Sequence, residues 1–479
     1  MKVVIVGGGT AGWSAAAHFS NRENYEVVIV EPADIPAIGV GESTIPSINK
    51  FNRSVGIEEF NSPKWLEEVN GTLKFSIEFA DFFKKGHKWI HPFVYNLRYE
   101  DTNTTTRVCK GEYPLEQHTS QQDFVESNYI FPRLRAEGFI PYNEQFNRDV
   151  TRVCGYHIDA VKYGSFLKKK SLERSNITLV TDEVDEVVVR QRKVEELKLK
   201  SGRVISGDIY IDCTGFKGLL ANAVGSEWDS SFSDRLFVNR ALTAKLPIVD
   251  SKKQLRNTTY CHALKAGWVW NIPLQTEVGT GYVFSDRHTT SKEAEEEFKE
   301  HLHVEYGYDP CTLKFREIPF KVGHRPESWK ENVVCIGLSA SFLEPLESTA
   351  ISTLHYQITT AAELLGATYI KEERKRKRFN FLNNMTLKAI ASYVELHYLF
   401  SDRRDSTFWK EVTKLPLTKT QQTLLDAYQD PQTAFNLNMI KDIEGEQHTI
   451  FDHASYMFLF LGYDIPPNPV DFLDRMNIR

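Results

Sequence analysis

Residues 2–13 read Lys2-Val3-Val4-Ile5-Val6-Gly7-Gly8-Gly9-Thr10-Ala11-Gly12-Trp13. Four consecutive apolar β-branched residues predict a strand buried on both faces of a parallel sheet. The run ends in Gly-x-Gly-x-x-Gly. Gly7 permits the tight turn, Gly9 lets the backbone approach a pyrophosphate, and Gly12 allows close packing of helix on strand. A phosphate then rests on the helix N-terminus, where unpaired N–H groups favour an anion. Trp13–Ser20 reads as helix and Tyr25–Val30 as a second strand. Glu31 follows about where an acid holding a ribose hydroxyl belongs. Strand, glycines, helix, strand and acid together predict a dinucleotide-binding α/β unit.

The fingerprint alone does not separate FAD from NAD. Two further stretches favour FAD: the loop Gly39-Val40-Gly41-Glu42-Ser43-Thr44-Ile45-Pro46, and the strand Asp208–Asp212 followed by Cys213-Thr214-Gly215. The second resembles the strand and turn with which flavoprotein monooxygenases return to their dinucleotide.

At 479 residues the chain exceeds one ordinary core, so two or three packed units are expected, burying about three quarters of the unfolded surface. Apolar residues at 41%, charged residues at 25% and a net charge of -6 predict a globular protein without a nucleic-acid footprint. The six cysteines are dispersed, with no Cys-x-x-Cys pair, so neither a zinc site nor a disulfide framework is expected. No charged leader or long apolar segment is visible, and the cytoplasm is the expected compartment, away from membranes.

Along the chain, Leu73, Phe75, Ile77 and Phe79 alternate with Thr72, Lys74, Ser76 and Glu78. That period predicts a half-buried strand with Lys74 and Glu78 on its polar face. Residues 82–150 lack a βαβ rhythm and read as an insertion contributing to the substrate pocket. A helix is expected over 160–174, then strands near 177–180, 183–189 and 195–200 that return to the dinucleotide unit. Strands dominate 240–284, within a substrate-facing sheet of about residues 230–320, and 291–303 is a charged amphipathic helix. Val333–Ile336 is another buried strand, ending at Gly337, and a helix runs from Ser348 through Ala361 or beyond. The basic run Lys371–Arg378 reads as a solvated helix face. The expected architecture is an α/β, FAD-binding Rossmann-like module over 1–81 and 151–385. A helical C-terminal subdomain that binds substrate occupies 386–479.

Three strings give the chain a family likeness: Gly7-x-Gly9-x-x-Gly12-Trp13, Trp268-Val-Trp270-Asn-Ile272-Pro273, and Glu344-Pro-Leu-Glu347-Ser348-Thr349. With them the sequence resembles, nearly end to end, the flavin-dependent halogenases of the tryptophan-halogenase type. The resemblance implies FAD, reduced by a separate flavin reductase, with O2 and a halide ion as co-substrates and a small aromatic substrate. It implies catalytic roles for Lys74 and Glu347. Cofactor contacts are expected from Gly7, Gly9, Thr10, Ala11, Gly12, Glu31, Gly39, Val40, Gly41, Glu42, Ser43, Thr44, Gly215, Gly337 and Ile351. Substrate contacts are expected from His91, Phe93 and Ser348, with His91 and Phe93 stacking on the ring.

The chemistry of these residue types agrees. Hypohalous acid, the oxidant made from halide, is mobile and destructive unless enclosed. Trp268 and Trp270 occupy alternate positions of a strand and so share a face, where with Ile272 and Pro273 they can shield the site. Lys74 can orient hypohalous acid as an ammonium, or form a haloamine as a neutral amine. Glu347 can polarise the oxidant or take the proton of the cationic arene. Backbone N–H groups of Thr349 and Ala350 at a helix start suit a halide.

Two positions depart from the family pattern. Ala350 stands where glycine is common, and its methyl group is expected to favour bromide or iodide over chloride. The last tryptophan is Trp409, so the late tryptophan that sandwiches free tryptophan has no counterpart. Indole- and phenol-type rings are the expected substrates. The competing readings are an FAD-dependent aromatic hydroxylase and a flavoprotein without catalysis. The Trp string with Lys74 and Glu347 favours halogenation. Monomer and homo-oligomer are both compatible with these residues.

Overall fold

The computed structural model describes residues 1–34, 41–57, 63–93, 154–430, 439–440 and 450–465. Gly39, Val40 and residues 94–150 of the insertion expected over 82–150 lie outside them, whereas Lys88–Pro92 of that insertion is a described strand.

The opening run forms the strand Lys2–Val6, at the interior of a six-stranded sheet. Its order is Trp329–Lys330, Val333–Cys335, Ile209–Asp212, Lys2–Val6, Glu26–Glu31, Ile177–Thr181. All pairings are parallel except that of the Trp329–Lys330 edge. Such a sheet needs cover on both faces, and the run Val3–Val6 is buried throughout. On one face Val3 and Ile5 pack with Trp13, Ala16 and Phe166 from the helices Thr10–Ser20 and Ala160–Ser171. On the other, Val4 and Val6 pack with Val194, Leu197 and Ile205.

Those last residues correct one expectation. Of the strands after residue 176, Ile177–Thr181 enters the dinucleotide sheet. Val184–Arg190, Lys193–Leu199 and Val204–Ser206 form a separate antiparallel sheet that covers it. Val194, Leu197 and Leu199 face inward from the middle strand, while Lys193, Glu195 and Lys198 stay exposed.

The second large sheet has seven strands in the order Arg316–Pro319, Arg240–Pro247, Glu277–Phe284, Gly267–Pro273, Thr258–Ala263, Ser76–Ala80, Lys88–Pro92. Helix Ser291–Tyr306, opened by a Thr290/Glu293 capping box, covers its outer face through Ala294, Phe298 and Leu302. Its inner face meets the helices Glu372–Leu399, Thr407–Val412, Lys419–Gln429 and His453–Gly462. No helix among the described residues is long and apolar enough to cross a membrane.

The segment around Lys74 differs from expectation. Thr72–Lys74 and Ser76–Ala80 are separate strands in different sheets, both buried on each face. Thr72–Lys74 joins a small sheet with Glu42–Ser43 and Gly155–Ile158, while Ser76–Ala80 enters the seven-stranded sheet. At the break, Phe75 donates its N–H to Asn257 O (2.8 Å) and accepts from Phe93 N (2.9 Å). Period-two alternation therefore reflects two buried environments, and Lys74 points into protein rather than water. Lys375, within the basic run, is also buried and pairs with Glu372 (2.7 Å).

Candidate active site

The glycine turn has the clearances a dinucleotide requires. Gly7 has φ 112°, and a Cβ there would lie 2.3 Å from Cys213 O; at Gly12 it would lie 1.8 Å from Gly7 O. At Gly9 a Cβ would meet nothing within 4 Å, so the backbone is open to a ligand there. Gly9 is the N-cap of Thr10–Ser20, with no side-chain cap and no acid in the first turn, which leaves the positive helix end to an external anion. Gly215 (φ 65°) faces open space, and a Cβ at Gly337 would come 3.2 Å from Ala11 Cβ. Thr10 Oγ1 donates to Ala160 O (2.9 Å) and Thr44 Oγ1 to Tyr156 O (2.9 Å), while Ser43 Oγ bonds Thr259 Oγ1 (2.7 Å). These side chains turn into the protein, leaving main chain to a cofactor. Gly41 precedes the short strand Glu42–Ser43, and Ile351 is buried near the start of its helix. The arrangement fits FAD.

Glu31 is more committed than its ribose role requires. It is buried, accepts from Trp13 Nε1 (2.9 Å) and Lys168 Nζ, and lies under Gly8, whose Cβ would strike Glu31 Oε2. A ribose hydroxyl would join these donors.

The second centre lies where the two sheet systems meet. Lys74 Nζ donates to Ser348 Oγ (2.9 Å) and stands 4.8 Å from the Phe93 ring centroid. Its side chain is wholly buried. Burial pushes its pKa down to about 7, and the nearby Glu347 carboxylate opposes that shift. Ser348, expected to touch substrate, is thus the partner of Lys74.

Glu347 and Ser348 both have positive φ (66° and 58°), in a 3-10 turn over Leu346–Ser348. The helix begins only at Ala350, with Thr349 as N-cap, so Glu347 is not a carboxylate of the first helical turn. Left-handed backbone at two successive non-glycine residues costs roughly 1–3 kcal/mol each and persists only where surroundings impose it. Here they do: Glu347 Oε2 accepts from His91 Nδ1 and Oε1 is bonded to His397 Nε2, each at 2.8 Å. Desolvation acts to raise the Glu347 pKa, but the two histidines prevail and bring it down to about 2. His91 is engaged at both ring nitrogens, with Nε2 3.1 Å from Ser455 Oγ, and its ring packs edge-on to Phe93 (5.8 Å). Its polar edge serves Glu347 and Ser455.

Trp268 and Trp270 lie on one face of Gly267–Pro273, 6.3 Å apart at 61° and buried. Trp268 Nε1 donates to Glu344 Oε1 (3.2 Å), which also accepts from Tyr398 Oη (2.6 Å). Burial raises the Glu344 pKa to about 7. Trp270 pairs across the sheet with Gly281, where a Cβ would lie 2.2 Å from the indole. Ile272 lines the same core, and Pro273 O accepts from Thr72 Oγ1 (2.7 Å), tying the Trp string to the strand that bears Lys74.

The helix Ala350–Gly366 has no side-chain cap and no acid in its first turn. The expected halide contacts stand at this helix start, Thr349 as its N-cap and Ala350 as its first residue. Trp409 is wholly buried, with Nε1 on Leu264 O (2.8 Å), and is a core residue.

Sequence reasoning missed His397, Tyr398 and Glu344. Glu344 sits inside the motif already singled out, and the other two lie in the aromatic stretch 393–400. Only their convergence in space gives them a role.

A glycine turn with room for a dinucleotide, and beside the second sheet a buried lysine near a carboxylate on two histidines, suit a flavoprotein. The tryptophan halogenase family profile matches residues 2–477, and the chain belongs to that family. It is 30% identical over 502 residues to the tryptophan 6-halogenase ThaL of Streptomyces albogriseolus, covering 98% of this chain and 91% of that protein. With the tryptophan 7-halogenase RebH of Lentzea aerocolonigenes it shares 29% identity over 505 residues, covering 98% and 90%. The crystal structure of tryptophan 6-halogenase SttH from Streptomyces toxytricini superposes with a TM-score of 0.83 at 28% identity, over 98% of this chain and 92% of that one. The protein is therefore a flavin-dependent halogenase, an oxidoreductase that halogenates an aromatic substrate with FAD, O2 and halide. Membership of the family implies a separate flavin reductase.

Proposed function

We propose that Lys74 receives hypohalous acid in a closed pocket and that Glu347 takes the proton from the arene. The observation that carries this reading is the buried Lys74 ammonium on Ser348, beside a carboxylate held by His91 and His397. The Gly7–Gly12 turn would hold reduced FAD, which would supply the electrons with which O2 and halide yield hypohalous acid. Lys74 donates a hydrogen bond to its oxygen and makes the halogen electrophilic. The ring attacks the halogen, the halogen–oxygen bond breaks, and the oxygen leaves as water with a proton from Lys74. Glu347 removes the ring proton, and return of that proton to Lys74 restores both groups. The net reaction is ArH + HOX → ArX + H2O.

At the halide end, the Ala350 methyl favours bromide or iodide, which are larger and more easily oxidised than chloride. Trp409 is unavailable to sandwich a free tryptophan, so an indole or phenol ring is the proposed substrate class. In this reading the 1–81 and 151–385 module binds the cofactor and the 386–479 region binds substrate, in the cytoplasm.

The test supplies FAD reduced by an unrelated reductase, O2, each halide in turn, and a panel of indoles and phenols. Mass spectra showing halogen incorporation support the reading, with greater turnover for bromide or iodide. Products carrying one added oxygen overturn it, and a lysine-bound halogen retained after rapid quench replaces hydrogen bonding with a haloamine route.

A further inference from the structure

His397 lies on helix Glu372–Leu399, and its ring is wholly buried. Its Nδ1 stands 3.1 Å from the carbonyl oxygen of Tyr393, and its Nε2 2.8 Å from Glu347 Oε1. A neutral imidazole has one N–H and one acceptor nitrogen. Here a carbonyl, which only accepts, occupies one side and a carboxylate the other. His91 faces no second pure acceptor: its Nδ1 donates to Glu347 Oε2, and its Nε2 meets the Ser455 hydroxyl, which can donate or accept and also lies 3.3 Å from Asp452 Oδ1. The His397–Glu347 pair therefore holds one proton more than a neutral ring beside a carboxylate. Glu347 already accepts from His91, which favours its ionised form and leaves that proton on the imidazole.

The surroundings suit a cation. Phe79 and Trp89 pack on the His397 ring at 4.8 and 5.5 Å, and aromatic faces attract positive charge. The charged neighbour across the pair is Lys74 from Thr72–Lys74, with His91 from Lys88–Pro92. Both Lys74 and Glu347 act on the Cys261 thiol from Thr258–Ala263.

We propose that His397 is a positioning residue, held as an imidazolium, which keeps Glu347 ionised and fixed in its left-handed turn. This rests on the reading of Glu347 as the base. With the charge of Glu347 matched by His397, Lys74 can give up and regain its proton while the rest of the pocket stays neutral.

The test has two arms. Neutron diffraction from crystals of the full chain in D2O at neutral pH should show deuterium on both ring nitrogens of His397 and none on Glu347. Deuterium on only one ring nitrogen overturns the proposal. In the second arm, His397→Leu should lower kcat about tenfold or more and leave KM within about twofold. Without its partner Glu347 protonates more readily, so the acid limb of the kcat profile should move to higher pH. His397→Gln, which keeps a donor without charge, should recover part of kcat. An unmoved acid limb in folded, FAD-binding variants overturns the positioning role, and the neutron arm decides if neither variant folds. Full-rate halogenation by Glu347→Gln defeats the base reading separately, since the proton count on His397 does not depend on catalysis.

Discussion

Lys74 Nζ is hydrogen-bonded at 2.9 Å to Ser348 Oγ, a residue held in left-handed backbone directly after Glu347. One strained turn thus presents a partner for the lysine and, one residue earlier, a carboxylate fixed by two histidines. Lys74→Ala should abolish arene halogenation while FAD binding and oxidation of reduced FAD continue. A soluble β-diketone scavenger should then collect the hypohalous acid that no longer reaches the ring. Full arene halogenation by the variant would remove Lys74 from the mechanism.

The same lysine weakens the fold at low pH. Its pKa lies at about 7 in the folded chain and at about 10.4 when unfolded. Between these values the unfolded state holds a proton that the native state lacks, so stability rises with pH. The penalty for burying the ammonium is complete below pH 7 and fades as pH approaches the ordinary lysine range. Lys74→Met should therefore be more stable than the parent at pH 6, with the difference shrinking toward pH 10. Urea titrations across that range check it, and a difference that grows with pH contradicts it.

Ala350 is the first residue of a helix without a side-chain cap, where the proposed function puts the halide. Removing its methyl with Ala350→Gly should raise the ratio of chlorinated to brominated product roughly fivefold, as a change in preference of about 1 kcal/mol supports. Product ratios at equal chloride and bromide concentrations measure it. An unchanged ratio would place halide selection elsewhere.

Trp270 depends on the glycine opposite. Gly281→Ala forces a methyl into the indole, so a loss of about 1–3 kcal/mol is expected, together with a smaller share of oxidant delivered to the arene. Denaturation and the ratio of halogenated product to reduced FAD consumed report the two effects. Unaltered values for both would show that the indole moves aside freely.

What could be read from the chain follows from how local each signal is. Val3–Gly12 and the strand and acid after it form a contiguous unit, and its buried parallel sheet is as expected. The strands at 184–206 were legible as strands but not in their sheet, because alternation gives a face without naming the neighbour. Lys74 was legible as a residue but not in its environment: the same alternation arises where Phe75 passes between two buried sheets. His397 could not be read at all, since its role needs a helix 50 residues beyond Glu347 to bring one ring nitrogen onto the carboxylate.

The break at Phe75 also bears on how such a protein can be recombined. Its N–H is fastened to Asn257 and its carbonyl to Phe93, so the lysine sits on a seam sewn from both sides. A chimaera that joins this cofactor half to a foreign substrate half should take its junctions outside residues 72–93 and 257–273. A cut within them would leave the lysine on one parent and the threads that aim it on the other.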